Sequence, residues 1–245
     1  MSPRPLSALL LSLTLALQAV GQDSKVGPPK KALPEPKTWM CKKGELLWEE
    51  HFEGAELSKD WNKGKGLWQV DAGTLKSAEV PADNHNAYAS RDVKEPNAII
   101  QMTFKLDGAK WMGANFDGKG HVCSLSLNPD LFNIRKTSPG GPATPKSVDG
   151  DSTRMKLSDS AWHTVVWEVY GTEMVASIDD KEMALAKVDG LLSDRTHLTL
   201  VTGGGQWAIF KELKVWKAEL DDKWPQKRTV LIQLMKKKPA QIGYK

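Results

Sequence analysis

The sequence carries little excess charge. Its 34 Lys and Arg face 30 Asp and Glu, a formal balance of +4 over 245 residues. That surplus is spread along the chain instead of gathered on one stripe, which excludes a dedicated nucleic-acid binder. Cysteine is nearly missing, at two residues, and Phe and Tyr are scarce at five and three. After Gly21 no apolar run approaches the ~20 residues of a membrane span. No helical pattern of about 10–15 residues alternates with the strand signals, so a parallel α/β sheet is disfavoured. There is no Gly-x-Ser-x-Gly elbow, no His-Glu-x-x-His helix and no Gly-rich phosphate loop ending in Lys-Ser/Thr. What is present is an apolar fraction of 40 %, sufficient for a packed core where a disordered chain would not be. The length fits one domain of ordinary size or a single larger β domain. Trp is abundant at ten residues, and its large flat ring with a donor at one edge suits a β-sandwich core or a sugar-binding face.

Arg4 precedes a run from Leu6 to Val20 rich in Leu, Ala, Ser and Thr, closing on Ala19-Val20-Gly21. The run is short for a membrane span and ends in small residues, so 1–21 is expected to be a cleaved secretory signal and the protein to be exported, periplasmic or extracellular. Pro28, Pro29, Pro34 and Pro36 alternate with Lys and small residues, which predicts an extended tether over 22–38. In an oxidising compartment a Cys41–Cys123 bridge is permitted and would stabilise by about 4–5 kcal/mol on the chain-entropy model. A buried free thiol at Cys123 is the alternative, and the sequence leaves both open.

From Trp39 onward the signals are short and β-like. Strands are expected over Glu45–Phe52, around Trp68-Gln69-Val70 and Leu75 flanking an Asp71-Ala72-Gly73 turn, and over Ala87–Val93. Asn97–Leu106 is the clearest, with Ile100, Met102, Phe104 and Leu106 on one face and Gln101, Thr103 and Lys105 on the other, a half-buried pattern. Trp111–Phe116, His121–Leu127 and Leu131–Lys136 follow, then a Pro/Gly/Ser-rich surface loop over Thr137–Asp151. Trp162–Tyr170, a strand through Met174 and Ile178, another at Leu198 and Leu200, and Trp207–Trp216 complete about a dozen strands at the spacing of an antiparallel sandwich or jelly roll. Asp221, Asp222 and Pro225 open one short helix with Leu231, Leu234 and Met235 at helical spacing, and Lys236, Lys237 and Lys238 close it before Pro239. The expected organisation is a sandwich over 39–219 and a helical tail over 220–245.

Leu47-Trp48-Glu49-Glu50-His51-Phe52, then Trp61, then Trp68 through Leu75 resembles the opening of concanavalin A-like (laminin-G-like) sandwiches, in particular the exported bacterial 3-keto-disaccharide hydrolase domain family, often labelled similar to family 16 glycoside hydrolases. Gly120-His121-Val122-Cys123, Trp162-His163 and Phe210 through Trp216 agree with it. The resemblance runs from about Leu46 to Ala218 and implies an all-β, two-layer jelly roll. Its motifs are mostly core and turn positions, so they specify fold better than chemistry. Laminarinase-type hydrolases of this fold carry Glu-x-Asp-x-Glu, whose alternation sets the carboxylates on one face; no such motif occurs here, which argues against the paired-carboxylate retaining mechanism. Where many relatives have an Asp after the Phe of the last strand, suited to calcium, this chain has Lys211. Asn115 in Gly113-Ala114-Asn115-Phe116 is similar to an Asn-containing strand motif of the keto-sugar family.

The candidate site residues are few. Trp111 opens a strand beside Asn115, with Arg135 nearby in sequence; a stacking ring with planar polar neighbours suits a saccharide, and core packing of Trp111 is the alternative. Asp83, His85 and Asn86 share a polar loop able to reach a ligand. His121 and Cys123 are read as neighbours on one strand face, and His163 as lying opposite the apolar face of its strand among Thr164 and Glu168; either His is a candidate general base. Asp149-Gly150-Asp151-Ser152-Thr153 begins like a calcium loop but has Ser160 where the bidentate Glu belongs. No metal or cofactor is expected. These residues point to an exported sandwich that recognises carbohydrate. The alternatives are an enzyme cleaving 3-keto-glycosides with a single base, and a non-catalytic module binding a protein of the cell envelope.

Overall fold

The computed structural model describes residues 35, 37–137, 148–188, 191 and 195–236. The expected export segment 1–21, nearly all of the expected tether, most of the expected 137–151 loop, and Lys237 with Lys238 lie outside the described residues.

Fifteen strands, one α-helix and a short 3-10 turn at Pro81–Asp83 are found among the described residues. The strands are β1 (Cys41–Glu50), β2 (Trp61–Lys63), β3 (Leu67–Asp71), β4 (Thr74–Ala78), β5 (Ala87–Asp92), β6 (Ala98–Lys105), β7 (Trp111–Asp117) and β8 (Cys123–Leu127). They continue as β9 (Leu131–Lys136), β10 (Val148–Arg154), β11 (His163–Tyr170), β12 (Glu173–Ile178), β13 (Glu182–Lys187), β14 (His197–Gly203) and β15 (Ala208–Leu220), and α1 spans Trp224–Lys236. Two antiparallel sheets result. The back sheet runs β13-β12-β11-β6-β15-β4-β3, with β1 also paired to β15, and the front sheet runs β10-β9-β8-β7-β14-β5-β2. This is the expected all-β jelly-roll sandwich with a C-terminal helix.

Alternation builds the core. Ile100, Met102, Phe104, Val165, Trp167, Val169, Leu213 and Val215 point inward from the back sheet, and Met112, Ala114, Phe116, Leu125, Phe132, Ile134, Leu198 and Leu200 meet them from the front. A second apolar cluster lies on the outer side of the back sheet. There Trp224, Leu231 and Met235 of α1 pack with Met40, Cys41, Ile99, Val166, Val175 and Trp216. Glu173 receives both Trp224 Nε1 and Arg228 Nε at 2.9 Å, which fixes the helix on the sheet. Leu234, expected on the buried stripe, is exposed. Ile99 of β6 is in this cluster, and β6 is buried on both sides; Gln101 and Thr103, expected half-exposed, are not.

Glu168 is buried in this layer. Its carboxylate accepts the backbone N–H groups of Trp39, Met40 and Cys41 at 2.8, 2.9 and 2.7 Å, so the incoming chain is pinned to β11. Burial pushes its pKa up to about 7 against the opposing pull of those three donors.

Several expectations are corrected. Cys41 and Cys123 are buried free thiols in separate apolar clusters, so there is no bridge. The described end of the segment expected to be loop, 148–151, belongs to strand β10, which pairs with β9; Asp151 joins it to the back sheet by accepting the Leu185 N–H at 2.8 Å. Lys211 is the extra residue of a β-bulge between Phe210 and Glu212, exposed and outside the ladder.

Candidate functional site

Odd-numbered residues of β7 face away from the core. Trp111, Gly113 and Asn115 therefore share the outer face of the front sheet, while Met112, Ala114 and Phe116 are sealed inside. Register extends that face sideways, because directly opposed residues of antiparallel strands project to the same side. Asn115 stands opposite Thr199 on β14 and Ser124 on β8, and Ser124 stands opposite Arg135 on β9. Gly113 stands opposite Ser126. The outcome is a groove of about 450 Å³ whose walls include Lys110, Trp111, Asn115, Ser124, Ser126 and Arg135 and whose floor includes Gly113, Ala114, Leu125 and Val201. That volume is within the range of small-ligand sites.

Two glycines shape it. A Cβ on Gly113 would overlap the Leu125 carbonyl oxygen, so the floor between Trp111 and Asn115 stays bare. A Cβ on Gly203 would overlap the Trp111 indole and come 2.6 Å from Asn86 Oδ1, so only glycine lets both side chains rest there. The turn holding Gly203 is tied down by Glu79, whose carboxylate accepts the Gly204 N–H at 2.6 Å. At the opposite end, Thr137 donates to Ser124 Oγ at 3.1 Å. The Arg135 guanidinium reaches Asn133 Oδ1 only at 3.4 Å, and its Nε is buried without an acceptor.

Trp111, Asn115 and Arg135 thus line one groove, and Asn86 meets Trp111 at Gly203. The other candidates are elsewhere. Asp83 accepts the Gly66 N–H at 2.8 Å, and His85 leans edge-on to Tyr88 with Nδ1 against its neighbour's carbonyl. His163 is in the opposite sheet. It has the same parity as Val165 and Trp167, so it turns inward, 5.8 Å from the Phe104 ring, and is not on the polar face the sequence reading gave it. Both its nitrogens are engaged, Nδ1 with Asp179 at 2.7 Å and Nε2 with the Ser158 carbonyl at 3.2 Å. That leaves no nitrogen for substrate.

His121 does not share a strand face with Cys123. It precedes β8, half-exposed, while Cys123 is fully buried. Its Nδ1 lies 3.0 Å from Asp117 Oδ2, and Asp117 Oδ1 accepts the Val122 N–H. The Asp117 hydrogen bond holds the imidazolium and raises its pKa, with burial opposing. Asp117 lies on the outer face two residues beyond Asn115, about 7 Å along the strand.

Ser124, Ser126, Lys110 and Gly203 were not anticipated. The alternation Cys123-Ser124-Leu125-Ser126-Leu127 was the signal for the two serines, since it sets both hydroxyls opposite the core. Among the described residues no group of three or more His, Cys, Asp or Glu is placed to hold a metal ion.

Comparison with solved structures identifies the architecture. A laminarinase from Flavobacterium sp. UMI-01 superposes with a TM-score of 0.50 at 14 % identity, covering 71 % of this chain and all of that one. A protein of unknown function with a galectin-like fold from Bacillus subtilis gives 0.55 at 14 % identity, covering 74 % and 100 %. The fold is the concanavalin A-like sandwich. A non-specific endo-β-1,3(4)-glucanase of family GH16 gives 0.54 at 14 % identity over 76 % of this chain and 95 % of its own. No family model and no curated protein matches the sequence.

Proposed function

We propose that the front-sheet groove binds carbohydrate, with Trp111 as the plate on which a pyranose ring stacks and Asn115, Ser124 and Arg135 as partners for hydroxyl groups. The observation that carries this is the convergence of Trp111, Asn115 and Arg135, from two strands that are not adjacent, on one groove with a bare floor. A half-exposed indole beside fixed polar groups is the apolar-plus-polar surface a sugar presents in reverse. The likeness to a laminarinase and an endo-glucanase supports a saccharide over other small ligands. Binding, not hydrolysis, is the activity favoured, because no carboxylate is among the described groove residues and a two-carboxylate mechanism needs a flanking pair. With 1–21 as an export leader, the encounter takes place outside the cytoplasm.

Glycan-array or affinity-electrophoresis retention tests this reading. Trp111→Ala should weaken retention by about tenfold or more, the cost of removing a central aromatic contact. Undiminished retention by that variant, with the wild-type melting curve, would refute it.

A second reading rests on the Asp117–His121 pair. Asp117 fixes the Nδ1 side and leaves Nε2 on a half-exposed ring, the arrangement of an oriented general base. Such a base would take the proton from C2, beside the keto carbon of a 3-keto-glycoside; the C1–O bond then breaks, the departing oxygen takes up a proton, and water adds across the resulting C1–C2 double bond to give the free 3-keto sugar without paired carboxylates. Release of 3-keto-sugar from a 3-keto-disaccharide, abolished by His121→Ala, is the result it requires.

A further inference from the structure

Arg135 is unlike the other arginines drawn out of solvent. Arg91 is held by Glu50 at 3.2 Å and Asp60 at 3.0 Å, and Arg228 by Glu173 at 2.9 Å. The buried Arg195 donates to the carbonyls of Pro96 and Leu191 at 2.6 and 2.7 Å and to Asn97. Arg135 has no carboxylate partner among the described residues, one long bond to Asn133 at 3.4 Å, and a buried Nε with no acceptor. An N–H of a charged group left unbonded and away from water is costly. Arg135 lines the groove, which puts its guanidinium beside whatever is bound there.

The rest of the lining has the same sign. Among the described lining residues Lys110, at the Trp111 end, is the other charged one, and none is Asp or Glu. A described lining with two cations and no carboxylate favours an anion. The guanidinium fork fits a carboxylate or a sulfate ester, taking two oxygens at once. Ser124, whose Oγ accepts from Thr137 at 3.1 Å beside Arg135, keeps its own hydroxyl hydrogen as a donor to the remaining oxygen.

We propose that the saccharide recognised in this groove is acidic, with a carboxylate or sulfate of one sugar unit paired to Arg135 while another unit stacks on Trp111. The proposal rests on the carbohydrate reading above and narrows it. Strand geometry sets Trp111 and Arg135 about 16 Å apart at Cα, so the ligand is an oligosaccharide and not a single ring.

The test uses matched twins and the full chain. Tetragalacturonate is compared with its methyl ester, and a sulfated galactan oligosaccharide with its desulfated product, by titration calorimetry in low and high NaCl. The acidic twin should bind about tenfold tighter than the neutral one at low salt, the value of one charge-assisted bidentate pair, and the advantage should shrink as salt screens it. Arg135→Gln should bring the acidic-to-neutral ratio close to one. If Arg135→Gln does not fold, Arg135→Lys serves in its place and should lower the ratio by a smaller step. Which pair shows the advantage separates carboxylate from sulfate. Equal binding of both twins, or an advantage that survives loss of Arg135, overturns the acidic specificity and leaves the carbohydrate reading intact. No binding of any of the four overturns both.

Discussion

Glu168→Gln should destabilise the protein and flatten its stability profile near neutral pH. In the native protein one carboxylate oxygen accepts from Trp39 and the other from Met40 and Cys41. A glutamine keeps one acceptor oxygen and turns an NH₂ toward at least one backbone N–H, so a buried donor faces a donor. The loss of one such bond without solvent access costs about 1–3 kcal/mol. The pH effect has a definite sign. Burial raises the carboxyl to about 7 from an ordinary value of 4.5, so the folded state holds a proton that the unfolded chain releases. The stability this confers is complete below the unfolded value, declines as pH climbs, and is gone above the folded one. Its full size is about 3 kcal/mol, from roughly 1.4 kcal/mol per pKa unit. The neighbours do not obscure the window: Lys227 pulls Asp221 below the usual carboxylate range, and the Cys41 thiol is pushed far above its own. His121 titrates nearby with the same sign, its pKa being raised by Asp117, so the difference between wild type and variant is the quantity to read. Urea unfolding followed by Trp fluorescence from pH 5 to pH 8.5 supplies it. Parallel profiles for the two proteins would refute the assignment of the titration to Glu168, and an unchanged midpoint would refute the anchoring role.

Gly203→Ala should weaken saccharide retention while costing about 1–3 kcal/mol of stability by overpacking, since the added methyl displaces Trp111 and Asn86 together; thermal melts with the retention assay check both. The two thiols should ignore an aromatic disulfide reagent at pH 8 and both react in guanidinium, because burial raises Cys123 to about 12 and Cys41 higher still. His163→Ala should lower the melting temperature, as it strips partners from Asp179 and Ser158 inside the fold, whereas His121→Ala on a half-exposed ring should barely shift it. Equal shifts for the two histidine variants would contradict their assigned environments.

The sandwich was legible because period-2 alternation is written residue by residue. Asn97–Leu106 shows it openly, and β6 appears there. What alternation does not state is whether the second face is wet. Gln101 and Thr103 look like a solvent face, yet both are buried, and Ile99 on the same side of β6 packs in a layer with α1 and the chain at Met40 and Cys41, elements distant in sequence. Strand β10 was missed for the converse reason. Asp149-Gly150-Asp151-Ser152 has poor intrinsic strand preference, and pairing with β9 plus the Asp151–Leu185 bond overrides it. His163 was misplaced by a parity slip, which in a strand exchanges core for surface at one stroke. In the groove the same division holds. Trp111 and Asn115 share a face by virtue of their spacing alone, and the sequence says so. Arg135 joins them only because Ser124 bridges β7 to β9 in one particular register. A register shifted by one residue would turn Arg135 into the core and its neighbour Ile134 into the groove, which the desolvation of a guanidinium forbids. The burial preference of β9 therefore selects the register, and the register in turn brings an arginine with no carboxylate partner among the described residues to the side of the groove opposite the tryptophan.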